Sequence, residues 1–404
     1  MHFLDLDRFI SKHITNRDDS LFLKDLDDNY HTLYERIEDT KVLVIGGAGT
    51  IGSSFIRAIL RYKPASLFVV DLSENGLTEL TRDLRSDSSI VVPNEYRTYP
   101  LSFSDPIFYK ILDECGPFDI VANFAAHKHV RSEKDHYSIG ALLNNNVIQA
   151  QTLLERLRKN PPKHFFCVST DKAANPVNIM GASKKLMEDI IMSYSSEIPI
   201  TTARFANVAF SNGSLLSGFL SRMLKKQPIS APSDVRRYFV SPNESGEICL
   251  LACILGKSRE VFFPKLEESQ MTTFSAIANS FLNECGYQSH LCETEEEAKE
   301  MASNWTPEST FYPVYYFESD TSGEKIFEEF FTLEESVDLH TFKGLGVVKD
   351  LPKVSESLIK SMIDDLKQVI DLEGGSKEVI VEILNKYIPN FNHLETGKNL
   401  DQKM

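Results

Sequence analysis

The chain has 404 residues, 42% hydrophobic and 25% charged, an ordinary composition for a folded protein with room for two or three domains. A formal charge of −15 argues against a nucleic-acid surface, and six cysteines without paired spacing argue against a zinc site or disulfide framework. No apolar run reaches the roughly 18 residues of a membrane span, and residues 1–27 lack the basic start and apolar stretch of a secretion signal, so the expected location is cytoplasmic, with reduced thiols.

Residues 1–38 alternate short apolar and acidic clusters, with Tyr30, Leu33 and Ile37 at helical spacing. They predict a helical extension, with an interaction arm as the other reading. Residues 42–45 read as a buried parallel strand and 53–60 as the helix it feeds. Between them, Gly46, Gly49 and Gly52 follow the dinucleotide pattern: a tight turn, a close backbone approach to pyrophosphate, and helix-on-strand packing. Alone, such a turn is equally an ordinary loop. Its context is a second strand, 67–70, ending in Asp71 about 20 residues beyond the glycines, where a ribose-binding carboxylate favours NAD over NADP. Asp71 is also placed to cap the helix that follows, and both roles can be filled at once.

The alternation continues with a helix over 74–85, a strand around 91 and 96–101, a helix over 106–114 and an apolar strand over 120–125. This predicts an α/β fold, a Rossmann-type doubly wound parallel sheet with ligand at the strands' carboxyl ends. A helix over 144–158 stops at Asn160-Pro161-Pro162, and a strand over 164–168 ends in Ser169-Thr170-Asp171-Lys172. Met180 to Lys184 open a helix, 201–205 form a strand, and 207–218 are small residues suited to wrapping a ligand. Helices follow over 215–225 and 244–255, a strand ends at 262–265, the acidic 293–300 run reads as a solvated helical face, and 350–388 hold two amphipathic helices. The expected organisation is a helical extension (1–38), an NAD-binding domain (39–255, with 207–232 reaching the substrate pocket), a smaller substrate subdomain (256–335) and a C-terminal helical extension (336–404).

The motifs GGAGTIG, AAHKHV from Ala125, Asn146-Val147, STDKAANP, MGASK, RFANV, RRYF and SGEK, in that order, resemble the extended short-chain dehydrogenase/reductase family. Within it they are similar to the UDP-N-acetylglucosamine 4,6-dehydratases of bacterial polysaccharide and flagellar-glycan biosynthesis. The resemblance covers residues 41 to about 335. It implies oxidation of a sugar C4 hydroxyl by NAD, loss of the C5 proton and C6 hydroxyl as water, and return of hydride to C6.

By the same resemblance, Gly46, Gly49, Thr50, Ile51, Gly52, Asp71, Ala125, Asn146 and Lys184 hold NAD, Lys184 at the nicotinamide ribose and Asn146 bracing that lysine. Thr170 bonds O4, Asp171 protonates the leaving O6, Lys172 takes the C5 proton, and Lys128 closes over the substrate. Those roles need Asp171 shifted upward and Lys172 downward in pKa. Asn207, Ser214 and Arg237 are expected at the pyrophosphate and uridine of a UDP-sugar, and Glu324 at the uridine ribose. The bland readings are a surface ion pair for Asp171 and Lys172, loop positions for His127 and His129 rather than a metal pair, and a solvated charge for Arg236.

One position departs from the wider superfamily, whose tyrosine base stands four residues before the lysine. Here that residue is Met180, and a thioether takes no proton. Deprotonation of O4 then falls to Asp171, Thr170 or a water, and a tyrosine-dependent epimerase or reductase is disfavoured. A 4- or 5-epimerase and a non-catalytic sugar-nucleotide-binding protein stay as alternatives. The resemblance further implies a homodimer or higher homo-oligomer, through helices near Asn144 and Ser183.

Overall fold

The structure, a computed structural model, describes residues 4–319, 328–371 and 375–395, the side chains of 131 and 132 excepted. Six strands, β1 (Lys41–Ile45), β2 (Ser66–Asp71), β3 (Glu95–Pro100), β4 (Ile120–Asn123), β5 (His164–Val168) and β6 (Ile200–Ala203), lie side by side in the order 3-2-1-4-5-6, all parallel. Helices cover both faces, and residues 42–45 of β1 are therefore buried throughout, which is why that strand is continuously apolar. The order reverses between β1 and β4, the point in such a sheet where ligands bind outside the strand ends.

Beyond β6 the sheet continues with Glu260–Pro264, parallel, and then Leu345–Val348 and Val337–Asp338, both antiparallel, giving nine strands among the described residues. Two expectations change here. Glu260–Pro264 joins the main sheet rather than the smaller subdomain, and part of the stretch expected as a helical extension is strand. Gly346 permits this edge: a Cβ there would stand 2.2 Å from Cζ of Phe263. A four-residue run containing glycine carries no usable periodicity.

A smaller parallel sheet, Gln288–Leu291, Phe311–Phe317 and Ile229–Pro232, packs with the Phe274–Glu284 helix around a second core that includes Phe219, Phe281 and Tyr312. The N-terminal residues divide between the two cores. Phe9, Ile10 and Ile14 enter the second, while Phe22, Leu26, Leu33 and Ile37 enter the first. Arg17, between them, bonds Glu244 at 2.8 Å.

The helix expected from residue 144 starts earlier, as His136–Leu143, and passes through a wider turn, Asn144–Ile148, into Gln149–Leu157. Residue 91 lies outside any strand. Two C-terminal helices, Glu356–Asp371 and Lys377–Tyr387, pack on His136–Leu143 and Ile179–Ser193, the helices from which an interface between copies was expected. Gly140 leaves the space that Ile370 approaches. All six cysteines are free thiols, and among the described residues no helix is long and apolar enough to cross a membrane.

Candidate active site

β1 ends at Gly46, whose φ of +75° suits glycine, and whose amide donates to the Val70 carbonyl at 2.7 Å. A Cβ on Gly46 would stand 2.6 Å from the Ala125 nitrogen, and one on Gly52 2.3 Å from the Gly46 oxygen, so the turn and the strand-end loop touch backbone to backbone. Gly49 begins the Thr50–Leu60 helix without a side-chain cap, which leaves the first-turn amides directed at an anion's position. The Asp71 carboxylate accepts from the amides of Ala48 (3.0 Å) and Ser73 (2.9 Å). Ser73, not Asp71, caps the next helix, and the carboxylate keeps acceptor sites for two ribose hydroxyls. Ile51 packs against the main core.

Thr50 and Lys128 meet on one residue. The Thr50 hydroxyl accepts from the Asn212 amide (2.9 Å), and the Lys128 ammonium donates to the Asn212 carbonyl (3.0 Å). Burial lowers the pKa of Lys128. The 207–214 segment is thereby tied to the glycine turn. Ser214 caps the Leu215–Leu224 helix, its oxygen accepting from Ser217.

β5 lies two strand spacings from β1, about 10 Å, and its end carries the second half of the site. Thr170 donates to Oδ1 of Asp171 at 2.7 Å, and the Lys172 ammonium lies 3.1 and 3.2 Å from the two Asp171 oxygens. The Asp171 side chain is 3% exposed and that of Lys172 26%, so the pair is not the surface ion pair of the bland reading. Asn207 and Arg237 join it through a residue the sequence reading missed, Glu328. Its Oε1 accepts from Asn207 at 2.8 Å and lies 3.5 Å from Arg237 Nε and 3.8 Å from Lys172 Nζ. Burial first, then the negative charge of Asp171, push Glu328 up to about 7, against the pull of Lys172 and Arg237. Lys172 departs from expectation: burial lowers its pKa, but Asp171 and Glu328 outweigh that and raise it.

Lys184, fully enclosed, donates to the Val168 carbonyl at 3.1 Å, and burial lowers its pKa. The Asn146 side chain closes directly on both backbone groups of His127 (2.9 Å each) and, at 3.1 Å, on the hydroxyl of Ser183, the neighbour of Lys184, fixing the loop that carries Lys128. Met180 is buried in the main core and its amide donates to Glu133 at 2.9 Å. Arg236 is exposed and reaches Glu268, as its bland reading had it. Glu324 lies outside the described residues.

Arg204, which the sequence offers only as part of the RFANV motif, centres a buried network that reaches Ser169, the neighbour of Thr170. Wholly buried, it bonds Glu188 and Glu335 at 2.8 Å and the Phe330 carbonyl at 3.0 Å, while Ser169 donates to Glu188 at 2.6 Å. This network fixes the segment that brings Glu328 inward. Glu328 stands next to Glu329 in an acidic stretch, and no pattern in the sequence marks one of the two as buried. Away from the site, His290, Cys292 and Glu297 have potential ligand atoms within 4.8 Å of one another, a grouping that chain spacing alone did not reveal. Glu297 there accepts from the Glu293 amide at 2.7 Å.

The family described as "Polysaccharide biosynthesis protein" matches residues 42–349. MJ1061 of Methanocaldococcus jannaschii, named an uncharacterized membrane protein, is 28% identical over 318 residues, 77% of this chain and 86% of that one. The capsular polysaccharide biosynthesis protein CapD of Staphylococcus aureus is 26% identical over 353 residues, and there the chain, covered to 85%, spans about half (53%) of its relative. In structure, Pen from Bacillus thuringiensis shares the fold, with a TM-score of 0.62, 20% identity and coverage of 82% of this chain and 98% of that one.

Proposed function

Because the chain belongs to the polysaccharide biosynthesis protein family, we propose that it is an NAD-dependent 4,6-dehydratase of a UDP-N-acetylhexosamine, UDP-N-acetylglucosamine foremost. The product is a 4-keto-6-deoxy sugar nucleotide for a surface polysaccharide or glycan. The observation that carries this reading is the Thr170–Asp171–Lys172 cluster around the buried Asp171 at the carboxyl edge of the sheet, in a chain with a methionine, Met180, where a tyrosine base would stand.

The residues fit the cofactor: Gly46 and Gly52 have no room for a Cβ, Gly49 leaves a helix N-terminus uncapped, and Asp71 has acceptor sites to spare. When bound there, NAD would supply the reversible hydride acceptor that oxidation at C4 and reduction at C6 need. Lys184 orients the nicotinamide ribose, and Arg237 and Asn207 receive the UDP phosphates, Arg237 by paired N–H donors.

The proton inventory closes on four side chains, Thr170, Asp171, Lys172 and Glu328. The O4 proton passes through the Thr170 hydroxyl to Asp171, the 2.7 Å contact that exists already. Asp171, now neutral, gives that proton to the departing O6, which leaves as water. Lys172 must be uncharged to take the C5 proton, and Glu328, 3.8 Å away and titrating near neutrality, is the group that relieves it of its own. Lys172 then returns the C5 proton as hydride reaches C6. Glu328 then hands the borrowed proton back to Lys172, so each group ends as it began, as a repeating cycle requires.

The test is mass spectrometry after incubation with UDP-N-acetylglucosamine and its hexosamine epimers. A product lighter by one water is expected. An unchanged mass with an altered sugar configuration would replace this reading with the epimerase, which shares the C4 oxidation. Tight NAD binding with no turnover across the panel would replace it with a non-catalytic binding protein.

A further inference from the structure

We propose that residues 390–394 form a strap that positions the catalytic loop between Lys172 and Met180, making the C-terminal extension a working part of the active site. The inference rests on the function proposed above only for the chemistry being positioned.

The loop belongs to no strand and, past its first turn, to no helix. After the short turn Asp171–Ala173 it runs irregularly to Asn178, which caps the Ile179–Ser193 helix. Irregular backbone with buried residues such as Ala174 and Pro176 must place its carbonyls somewhere, and the strap receives three of them. The Asn390 side-chain amide donates to the Ala174 carbonyl and to the Asn175 side-chain oxygen, both at 3.2 Å. The Asn392 amide donates to the Pro176 carbonyl at 3.2 Å, and the Leu394 amide to the Val177 carbonyl at 3.0 Å.

The strap is itself fixed. Ile388 and Phe391 are buried in the main core, and Lys377, at the start of the last helix, pairs with Glu395 and donates to the Glu133 carbonyl at 3.3 Å. Glu133 in turn holds the Met180 amide. Across the loop, Asn175 donates to Glu329 at 3.1 Å, next to Glu328. The loop is therefore clamped between the strap and the segment carrying the third titrating group. Displacement would reach Lys172 directly, because Gly181 packs so closely on its carbonyl that a Cβ would stand 2.5 Å away. Aim matters more than presence for such a group, since small misplacements of reacting atoms cost large factors in rate.

The test uses full-length point variants. Asn392→Pro and Leu394→Pro each delete one strap donor, and Asn390→Ala deletes the side-chain pair. Asn392→Ala, at an exposed side chain, keeps the backbone donor and is the control. Hydrogen exchange of residues 171–178 should accelerate about fivefold for each donor lost. The same variants should lower kcat about tenfold or more while changing KM for the UDP-sugar by about twofold at most; NAD content should stay unchanged and the control should resemble wild type. Wild-type exchange and kcat in both proline variants and in Asn390→Ala would overturn the strap. If the wild-type protein turns over no UDP-sugar, the exchange measurement still decides the strap, and only the proposed reaction fails.

Discussion

The Glu328 carboxylate lies 3.8 Å from the Lys172 ammonium, although the two residues are far apart in sequence and only one belongs to a recognisable motif. With Glu328 pushed up to about 7 and Lys172 held protonated beside it, the pair is a proton donor facing an acceptor poised near working pH. Glu328→Gln should therefore lower kcat by about 10²-fold. In wild type, kcat should rise with pH through about 7 as the carboxylate becomes able to accept, and that limb should vanish in the variant. A pH–rate profile of both proteins checks it, and an identical limb in the variant would assign the titration elsewhere.

The same shift has a consequence for stability. Burial raises Glu328 from 4.5 to about 7, so the folded state binds its proton more tightly than the unfolded chain does. That contribution is fully present below pH 4.5 and is lost as pH rises through about 7. Glutamine does not titrate. The melting temperature of Glu328→Gln relative to wild type should thus climb between pH 5 and pH 8, as read by scanning calorimetry.

On the proposed mechanism, Lys172→Ala removes the base at C5 but leaves Thr170 and Asp171 at O4. Water loss should fall by at least about 10³-fold. Reduced cofactor should build up at the oxidised-sugar stage, visible in its near-ultraviolet absorbance. Dehydration at the normal rate would move the base to another residue.

The glycine turn makes separable predictions. A Cβ at Gly49 meets only ordinary contact, 3.5 Å from the Gly46 oxygen, whereas one at Gly52 would overlap that oxygen at 2.3 Å. Gly49→Ala should fold with a near-normal melting temperature yet lose NAD, since its methyl intrudes where the pyrophosphate approaches. Gly52→Ala should destabilise the protein by about 2 kcal/mol or more. Full NAD occupancy in Gly49→Ala would leave the turn as packing alone.

Intramolecular packing by the C-terminal helices predicts the assembly state. They lie against His136–Leu143 and Ile179–Ser193, the face from which a dimer was expected. Light scattering should give the mass of a single chain. A dimer cross-linked through residues 136–157 and 179–193 would show that the face remains open.

What the sequence disclosed and what it withheld follow from the range of the interactions. β1, its glycines and Asp71 lie within one βαβ unit, where local pattern and local structure coincide. Thr170 to Lys172 were placed at a strand end for the same reason, and the fold sets them beside Asn207 and Arg237. Glu328, Arg204 and Glu335 are different: their placement depends on contacts across more than a hundred residues, as between Arg204 and Glu335, and nothing in an acidic run marks one glutamate as inward. The strand Leu345–Val348 escaped for want of length. The direction of the Lys172 shift was missed because it depends on a second carboxylate that the motif does not contain.

The N-terminal arm bears on how a large nucleotide gets in. One stretch of chain roots Phe9 and Ile14 in the smaller lobe and Phe22 and Leu33 in the larger, with Arg17 pinned to Glu244 at the crossing. A seam stitched this way resists gaping like a clam. Entry then falls to the segments around the mouth, and Arg17, bonded to Glu244 at the crossing, is a place where the stitch can be cut.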